Sequence, residues 1–259
     1  MFKYLIRPIY SPIQYCNLVK FLNYNIEGGY KRIYHFHIRK TGGTSINNAF
    51  LSLGGKKGNE VYKKLYEKNN SRLLSGNYVF VGWHKRLIRR GNYFYAFSHQ
   101  PCHKISLPEK TFTFTCLRDP LNRIISHYKM LLEYKVNNIN HPCMKKEGKW
   151  LGDNFGNFLD NIPKNVLLNQ VHMFSKKLDV DEAFNNIKNC SFFFFTENFE
   201  QGMNELSKTL NLPLTITHDR KSVIKPKIDQ EYLKKAKIVL KPEIYLYNKL
   251  KNYKLRKDY

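Results

Sequence analysis

Apolar positions along the chain fall into short alternating or continuous runs separated by stretches of helical spacing. Residues from about Arg32 to Ile38 alternate aromatic and aliphatic side chains with polar ones and read as a strand. "NYVFVGW" and "NYFYAFS" read as two more strands, and "TFTFTCL", Thr111 to Leu117, as a buried one of β-branched and aromatic character. "SFFFFTENF" supplies a further short buried strand. Between these runs, "TSINNAFLSL" repeats Ile46, Phe50 and Leu53 at helical spacing, with Thr44 or Ser45 able to cap it. "RDPLNRIISHYKMLLEY" places Asp119 as an N-cap and Pro120 as a first helical residue directly after a strand. "EQGMNELSKTLNL" predicts another helix. Strands alternating with helices predict an α/β fold: a parallel sheet flanked by helices on both faces. Residues 137–164 are rich in Asn, Gly and Lys and weakly periodic, so they read as a long loop or mobile insertion. Residues 221–259 read as a basic helical tail, with twelve Lys and Arg against four Asp and Glu. No internal repeat is found.

Composition narrows the function classes. The 259 residues suit one large α/β domain or at most two small ones, and a hydrophobic share of 42% suffices for a sizeable core. Lys and Arg total 44 against 20 Asp and Glu, a formal net charge of +24. That field attracts anions: nucleic acid, an anionic lipid surface, a phosphorylated cofactor or an acidic polysaccharide. The same excess also fits a coding bias towards Lys, Asn, Tyr and Phe. The five cysteines form no C-x-x-C pair, which argues against a zinc site or a disulfide framework and for a reducing compartment. No apolar run reaches the ~20 residues that span a bilayer. Residues 1–30, a basic and aromatic extension broken by Pro8 and Pro12, lack the continuous apolar core of a signal peptide or anchor. The expectation is a cytoplasmic protein, with peripheral membrane contact compatible with its charge.

The chemistry centres on "HFHIRKTGGTS", His35 to Ser45. A strand, a Gly-rich turn and a helix N-terminus present backbone N–H groups to an anion. Lys40 adds a full charge beside Arg39, and Thr41, Thr44 and Ser45 offer hydroxyls around Gly42 and Gly43. A Walker A loop carries its lysine after the glycines, whereas here it comes before them. No acidic strand end suggests a magnesium site either, so an ATP or GTP hydrolase is disfavoured. A second anion subsite is suggested by Arg118 at a strand end and Ser126 two turns into the following helix; a guanidinium fork and a hydroxyl can share one phosphate. Arg123, three residues before Ser126, reads rather as one half of a structural ion pair.

Taken together, "HIRKTGGTS" resembles the 5′-phosphosulfate loop of the PAPS-dependent sulfotransferases (PAPS is 3′-phosphoadenosine 5′-phosphosulfate). It is most similar to the branch of the heparan sulfate 2-O- and 6-O-sulfotransferases and the bacterial carbohydrate sulfotransferases. The family's usual proline is Arg39 here. "RDPLNRIISHY" resembles the family's 3′-phosphate motif, R-D-P-x-x-R-x-x-S-x-Y. "FSHQPCHKI" resembles its G-H-x-P-x-G-x-H segment, with Ser98 and Cys102 in place of the glycines. "NVLLNQVHMFS" and "FFFFTENFEQGMNEL" resemble later segments, and the likeness runs patchily from about Arg32 to Asn248.

The resemblance implies a single, P-loop-like sulfotransferase domain over residues 31–259. It implies PAPS as co-substrate, gripped by Arg39, Lys40, Thr41, Gly42, Gly43, Thr44 and Ser45 on one side and by Arg118 and Ser126 on the other. It implies His99 as general base, Lys40 at the leaving group and no metal. His103 is expected to shape the pocket, His84 and His127 are weaker candidates still, and Glu197 is either a site carboxylate or a helix N-terminal charge that also pairs with a basic residue. The acceptor is expected to be a hydroxyl, most naturally of a glycan whose acidity would use the surplus charge. A small molecule, lipid or protein tyrosine is the alternative acceptor. Two rivals from other classes stand beside this reading: a P-loop-like kinase, and a basic nucleic-acid- or membrane-surface-binding protein. The second is disfavoured because the aromatics occupy strand-like core positions instead of interleaving an exposed basic patch.

Overall fold

The computed structural model describes residues 24–67, 72–216, 224 and 226–256. Cys16, most of the N-terminal extension and part of the tail read above lie outside them. Six strands form one sheet: β1 (Arg32–Phe36), β2 (Arg72–Ser75), β3 (Tyr78–Gly82), β4 (Tyr95–Ser98), β5 (Thr111–Leu117) and β6 (Phe192–Phe195), in the order β2-β3-β4-β1-β5-β6. All neighbours are parallel except β2 and β3, which form an antiparallel hairpin across Gly76 and Asn77. The pattern of the chain did not predict β2. It is a four-residue edge strand whose side chains are largely open, so it carries no buried alternation to read.

Helices α1 (Gly43–Ser52), α2 (Gly58–Tyr66) and α3 (Lys85–Arg90) lie in the first half of the chain. Helix α4 (Pro120–Val136) leaves the end of β5 as expected, with the Asp119 side chain accepting from the Asn122 N–H at 2.8 Å. The remaining helices are α5 (Met144–Glu147), α6 (Phe155–Asn161), α7 (Lys164–Leu167), α8 (Asn169–Phe174), α9 (Val180–Lys188), α10 (Phe199–Leu210), α11 (Gln230–Val239) and α12 (Lys241–Leu255).

Alternation along β1 divides the core in two. Tyr34 and Phe36 join one apolar cluster with residues of α4, α6, α8 and α12. Ile33 faces the other, formed with α1, α2 and α10. Helices therefore cover both faces of the sheet. Residues 137–164 correct the expectation of a loose loop. Leu151, Phe155, Phe158, Leu159 and Ile162 are all buried in the first cluster, packed against α4 and α11. Short helices interrupted by Asn and Gly hide their periodicity, while each still buries an apolar face.

Strand β1 is the middle of the sheet, and the chain visits β4 on one side of it and β5 on the other. In open α/β sheets the crevice outside the strand C-termini at such a reversal is where ligands bind. The residues following β4, β1 and β5 are His99, the Gly-Gly loop and Arg118.

Three histidines are built into this frame without charge. Burial pushes His35 down to about 3 and His127 down to about 4, and holds His37 well below the ordinary imidazole value. The unfolded chain therefore takes up protons before the folded one does. Stability is complete above the unfolded value of 6.5 and is lost as pH falls towards 4. Each histidine that stays neutral in the fold adds about 2 kcal/mol to the loss between pH 7 and pH 5. Thermal unfolding followed across that range should show a midpoint falling by about 5 °C or more; a flat profile would mean that these rings are protonated in the folded state.

Candidate active site

A single cleft at the C-terminal edge of the sheet, about 240 Å³ in volume, brings the expected residues together. Arg39, Lys40, Gly42, Gly43, Thr44 and Ser45 line it from the loop after β1; His99 lines it from the end of β4, and Arg118 and Ser126 from β5 and α4. Of the loop residues only Thr41 stands apart. It is fully buried, and its hydroxyl donates to the Ile38 carbonyl at 3.0 Å. Its side chain closes the turn and is not available as an anion donor, which corrects that part of the expectation.

The loop differs from the reading in two further ways. Helix α1 starts at Gly43, and its N-cap is Gly42 in the left-handed conformation with no side-chain cap. Thr44 and Ser45 therefore lie in the first turn and do not cap it, so the leading amides have no intrahelical partner and remain donors towards the cleft. Gly43 is a glycine for a reason the sequence did not disclose: a Cβ there would lie 1.9 Å from His37 Nε2. The missing side chain makes room for a buried imidazole under the loop. Lys40 has φ 67°, a left-handed backbone rarely adopted by a residue with a side chain. Its carbonyl accepts from Arg118 Nη1 at 3.1 Å, which ties the loop after β1 to the end of β5.

Arg118 is positioned by its backbone. Gln170 Oε1 accepts from its N–H at 2.8 Å, and Gln170 Nε2 donates to its carbonyl at 2.9 Å. Gln170 Nε2 also donates to Glu243 Oε1 at 2.8 Å, and Glu243 pairs with Arg123 at 2.6 Å with both side chains fully buried. Arg123 is thus the structural ion pair anticipated. Its partner on α12 and the role of Gln170 could not be read from spacing. Burial raises the Glu243 carboxyl, with Arg123 and Gln170 opposing. Burial also lowers Arg118, offset by Glu197 and Asp119. Glu197 is exposed; it accepts from the Asp119 N–H and from the Tyr247 hydroxyl, each at 2.9 Å.

Arg39 reaches Glu147, which also accepts from His127 Nε2 at 2.9 Å. The guanidinium is therefore held by the segment that sequence reading treated as a loop. His127 is fully buried beneath this carboxylate, outside the cleft lining. His84 caps α3, accepting from the Leu87 N–H at 3.3 Å, and His103 packs against His172 with ring centres 5.4 Å apart. Neither lines the cleft.

His99 does. Its ring is open to the cleft, and Nδ1 donates to the His37 carbonyl at 2.6 Å. That bond fixes the proton on Nδ1 and leaves the lone pair on Nε2. Desolvation among surrounding protein, reinforced by Arg39, pushes His99 down to about 4; water reaching the ring tempers this depression. At neutral pH the side chain is an uncharged base. Among the described residues no cluster of His, Cys, Asp and Glu is arranged to hold a metal.

Residues 23–243 match the sulfotransferase family. No curated protein sequence matches the chain. Among solved structures, mouse sulfotransferase SULT7A1 complexed with PAP is similar over 95% of this chain and 96% of that one, with 13% identity and a TM-score of 0.44.

The fit between Gly43 and His37 can be tested directly. Gly43→Ala forces a methyl group into the imidazole and should destabilise the fold by about 1–3 kcal/mol, the range for overpacked sites. Denaturant titration measures it; unchanged stability would mean that the loop and ring separate without cost.

Proposed function

The chain belongs to the sulfotransferase family and is a PAPS-dependent sulfotransferase; from that premise we propose that its acceptor is a carbohydrate hydroxyl and that Lys40 and His99 carry the transfer. The observation supporting this most is the convergence of the Gly-Gly loop, His99 and Arg118 on one cleft from three adjacent parallel strands. PAPS supplies an activated sulfuryl group on a phosphate leaving group. Lys40 and the open amides of α1 are suited to stabilising negative charge on that phosphate. Arg118 and Ser126 form a guanidinium and hydroxyl pair suited to the 3′-phosphate. His99 takes the proton of the attacking hydroxyl at Nε2, while the His37 carbonyl holds its Nδ1–H. Gln170 and the Arg123–Glu243 pair keep the Arg118 backbone in place.

A carbohydrate acceptor is favoured by a second groove, about 510 Å³ in volume, that adjoins the cleft. Thr44, Tyr62 and His141 line both. Asn59, Lys63 and Tyr66 continue the groove along α2. Tyr66 is 48% exposed and packs edge-on against Trp83, 5.5 Å between ring centres. Exposed tyrosine rings offer flat apolar faces with a polar tip, amides bind hydroxyls, and a lysine favours a carboxylate or sulfate. An acidic saccharide in this groove would lead its hydroxyl towards His99, and the net charge of +24 would concentrate it there.

The first test is turnover with labelled PAPS and a panel of glycans, beside calorimetry with PAP. His99→Ala should reduce turnover about 10²–10⁴-fold with PAP affinity preserved. Lys40→Ala should reduce turnover far more than PAP affinity. Arg118→Ala should abolish preference for the 3′-phosphorylated nucleotide. Near-normal turnover of His99→Ala would remove it as the base, and equal losses in Lys40→Ala would reduce Lys40 to a binding residue.

The acceptor groove has its own test. Tyr66→Ala and Lys63→Ala should each raise the acceptor KM about tenfold without changing PAP affinity, and the wild-type KM for an acidic glycan should rise steeply with salt. A salt-independent KM, with both variants neutral, would direct the acceptor search to small uncharged alcohols.

A further inference from the structure

The side chain of His37 lies outside the roles assigned above, yet it occupies the middle of the machinery. Its backbone N–H extends the β1–β4 ladder to the Ser98 carbonyl at 3.1 Å. Its side chain is 5% exposed and lines the cleft. The ring is wedged beside Gly43 at the start of α1, and its centre is 4.3 Å from that of His99.

The hydrogen bonds around it determine where its proton sits. Asn47 Oδ1 accepts from the Tyr95 hydroxyl at 2.7 Å and from His35 Nδ1 at 3.0 Å. Asn47 therefore turns its amide nitrogen towards His37 Nδ1, at 3.4 Å. An amide nitrogen only donates, so Nδ1 of His37 is an acceptor and the proton of the neutral ring is on Nε2. His99 is the reverse, with Nδ1–H spent on the His37 carbonyl and Nε2 bare. Two adjacent uncharged imidazoles thus offer opposite edges: His99 a lone pair and His37 an N–H. The donor edge is the one beside Gly43, at the mouth of the anion loop.

We propose that His37 donates its Nε2–H to a non-bridging oxygen of the sulfuryl group during transfer. The proposal rests on the transfer reading given above. In an in-line displacement the reacting sulfur passes between the base side and the leaving-group side. His99 defines the first and Lys40 with the α1 amides the second, and the His37 ring adjoins both. The bond balance is simple. The acceptor O–H proton goes to His99 Nε2, and the acceptor oxygen forms the new S–O bond. The old S–O bond breaks with its electron pair going to the phosphate oxygen. His37 keeps its proton throughout and supplies a fixed dipole. Asn47, Tyr95 and His35 act through it as positioning residues, because they prevent the ring from taking the other tautomer.

The test combines a spectroscopic and a kinetic measurement. Nitrogen-15 NMR of histidine-labelled protein should show a protonated Nε2 for His37 and a protonated Nδ1 for His99. His37→Leu, which keeps bulk but removes the donor, should lower turnover by about 10²-fold, the usual effect of losing one such donor. Its affinity for PAP, which lacks the sulfuryl group, should stay within twofold of wild type. His37→Gln, whose amide can still donate, should recover part of the loss. A His37 ring protonated on Nδ1, His37→Leu turnover within threefold of wild type, or a parallel fall in PAP affinity would each overturn the proposal. If His37→Leu does not fold, His37→Ala takes its place: turnover about 10²-fold down in His37→Ala and partly recovered in His37→Gln supports the role, and equal turnover in those two variants opposes it. An Nε2-protonated His99 would instead remove the base assignment, while the His37 readouts stand by themselves.

Discussion

Parallel pairing of β1 between β4 and β5 is the constraint on which the site depends. Phe36 is in register with Ser98 on one side and Thr115 on the other, so the three strands end almost level. Whatever follows them in sequence must emerge at one edge. Lys40, His99 and Arg118 are separated by 59 and 78 residues along the chain from the first to the others, yet the ladder makes them neighbours. The hydrogen bond from Arg118 to the Lys40 carbonyl is a direct consequence, and it braces a left-handed backbone that would otherwise be costly.

Beneath the site, polar side chains are buried in contact with one another. The Arg123–Glu243 ion pair is removed from water, and such a pair contributes little net stability by itself. Its effect here is geometric: Glu243 orients Gln170, and Gln170 holds both backbone groups of Arg118. Glu147 plays a comparable part on the other side, joining Arg39 of the loop to His127 of α4. The residue that replaces the familiar proline thus has its partner in the segment 137–164. The histidines under the loop are kept neutral by burial, so positive charge in the cleft comes from Arg39, Lys40 and Arg118.

Much of this was legible beforehand. β5 spans the predicted Thr111 to Leu117, because a fully buried parallel strand is a continuous run of β-branched and aromatic residues. α4 begins where Asp119 and Pro120 indicate, since an N-cap and a proline at the first position are local signals. The cleft residues of the first loop were legible because glycines, a cation and a helix start fall within a few residues of one another. The hairpin strand β2 and the short helices of 137–164 were not legible, because their lengths are too small for a period to be counted.

The sequence by itself determined the alternation of strands and helices, the Gly-Gly loop after β1, the arginine after β5 and the histidine after β4, since each depends on residues close together in the chain. Only the tertiary structure decided that Thr41 faces inward, that Arg39 is taken up by Glu147, and that Gly43 is small because His37 lies under it. It also decided what the Nδ1 atoms of His37 and His99 face, the amide nitrogen of Asn47 and a backbone carbonyl. The physical reason is the same in each case. A hydrogen bond or a steric limit is set by whichever atom lies within about 3 Å, and across a folded sheet that neighbour is chosen by strand register and not by sequence separation.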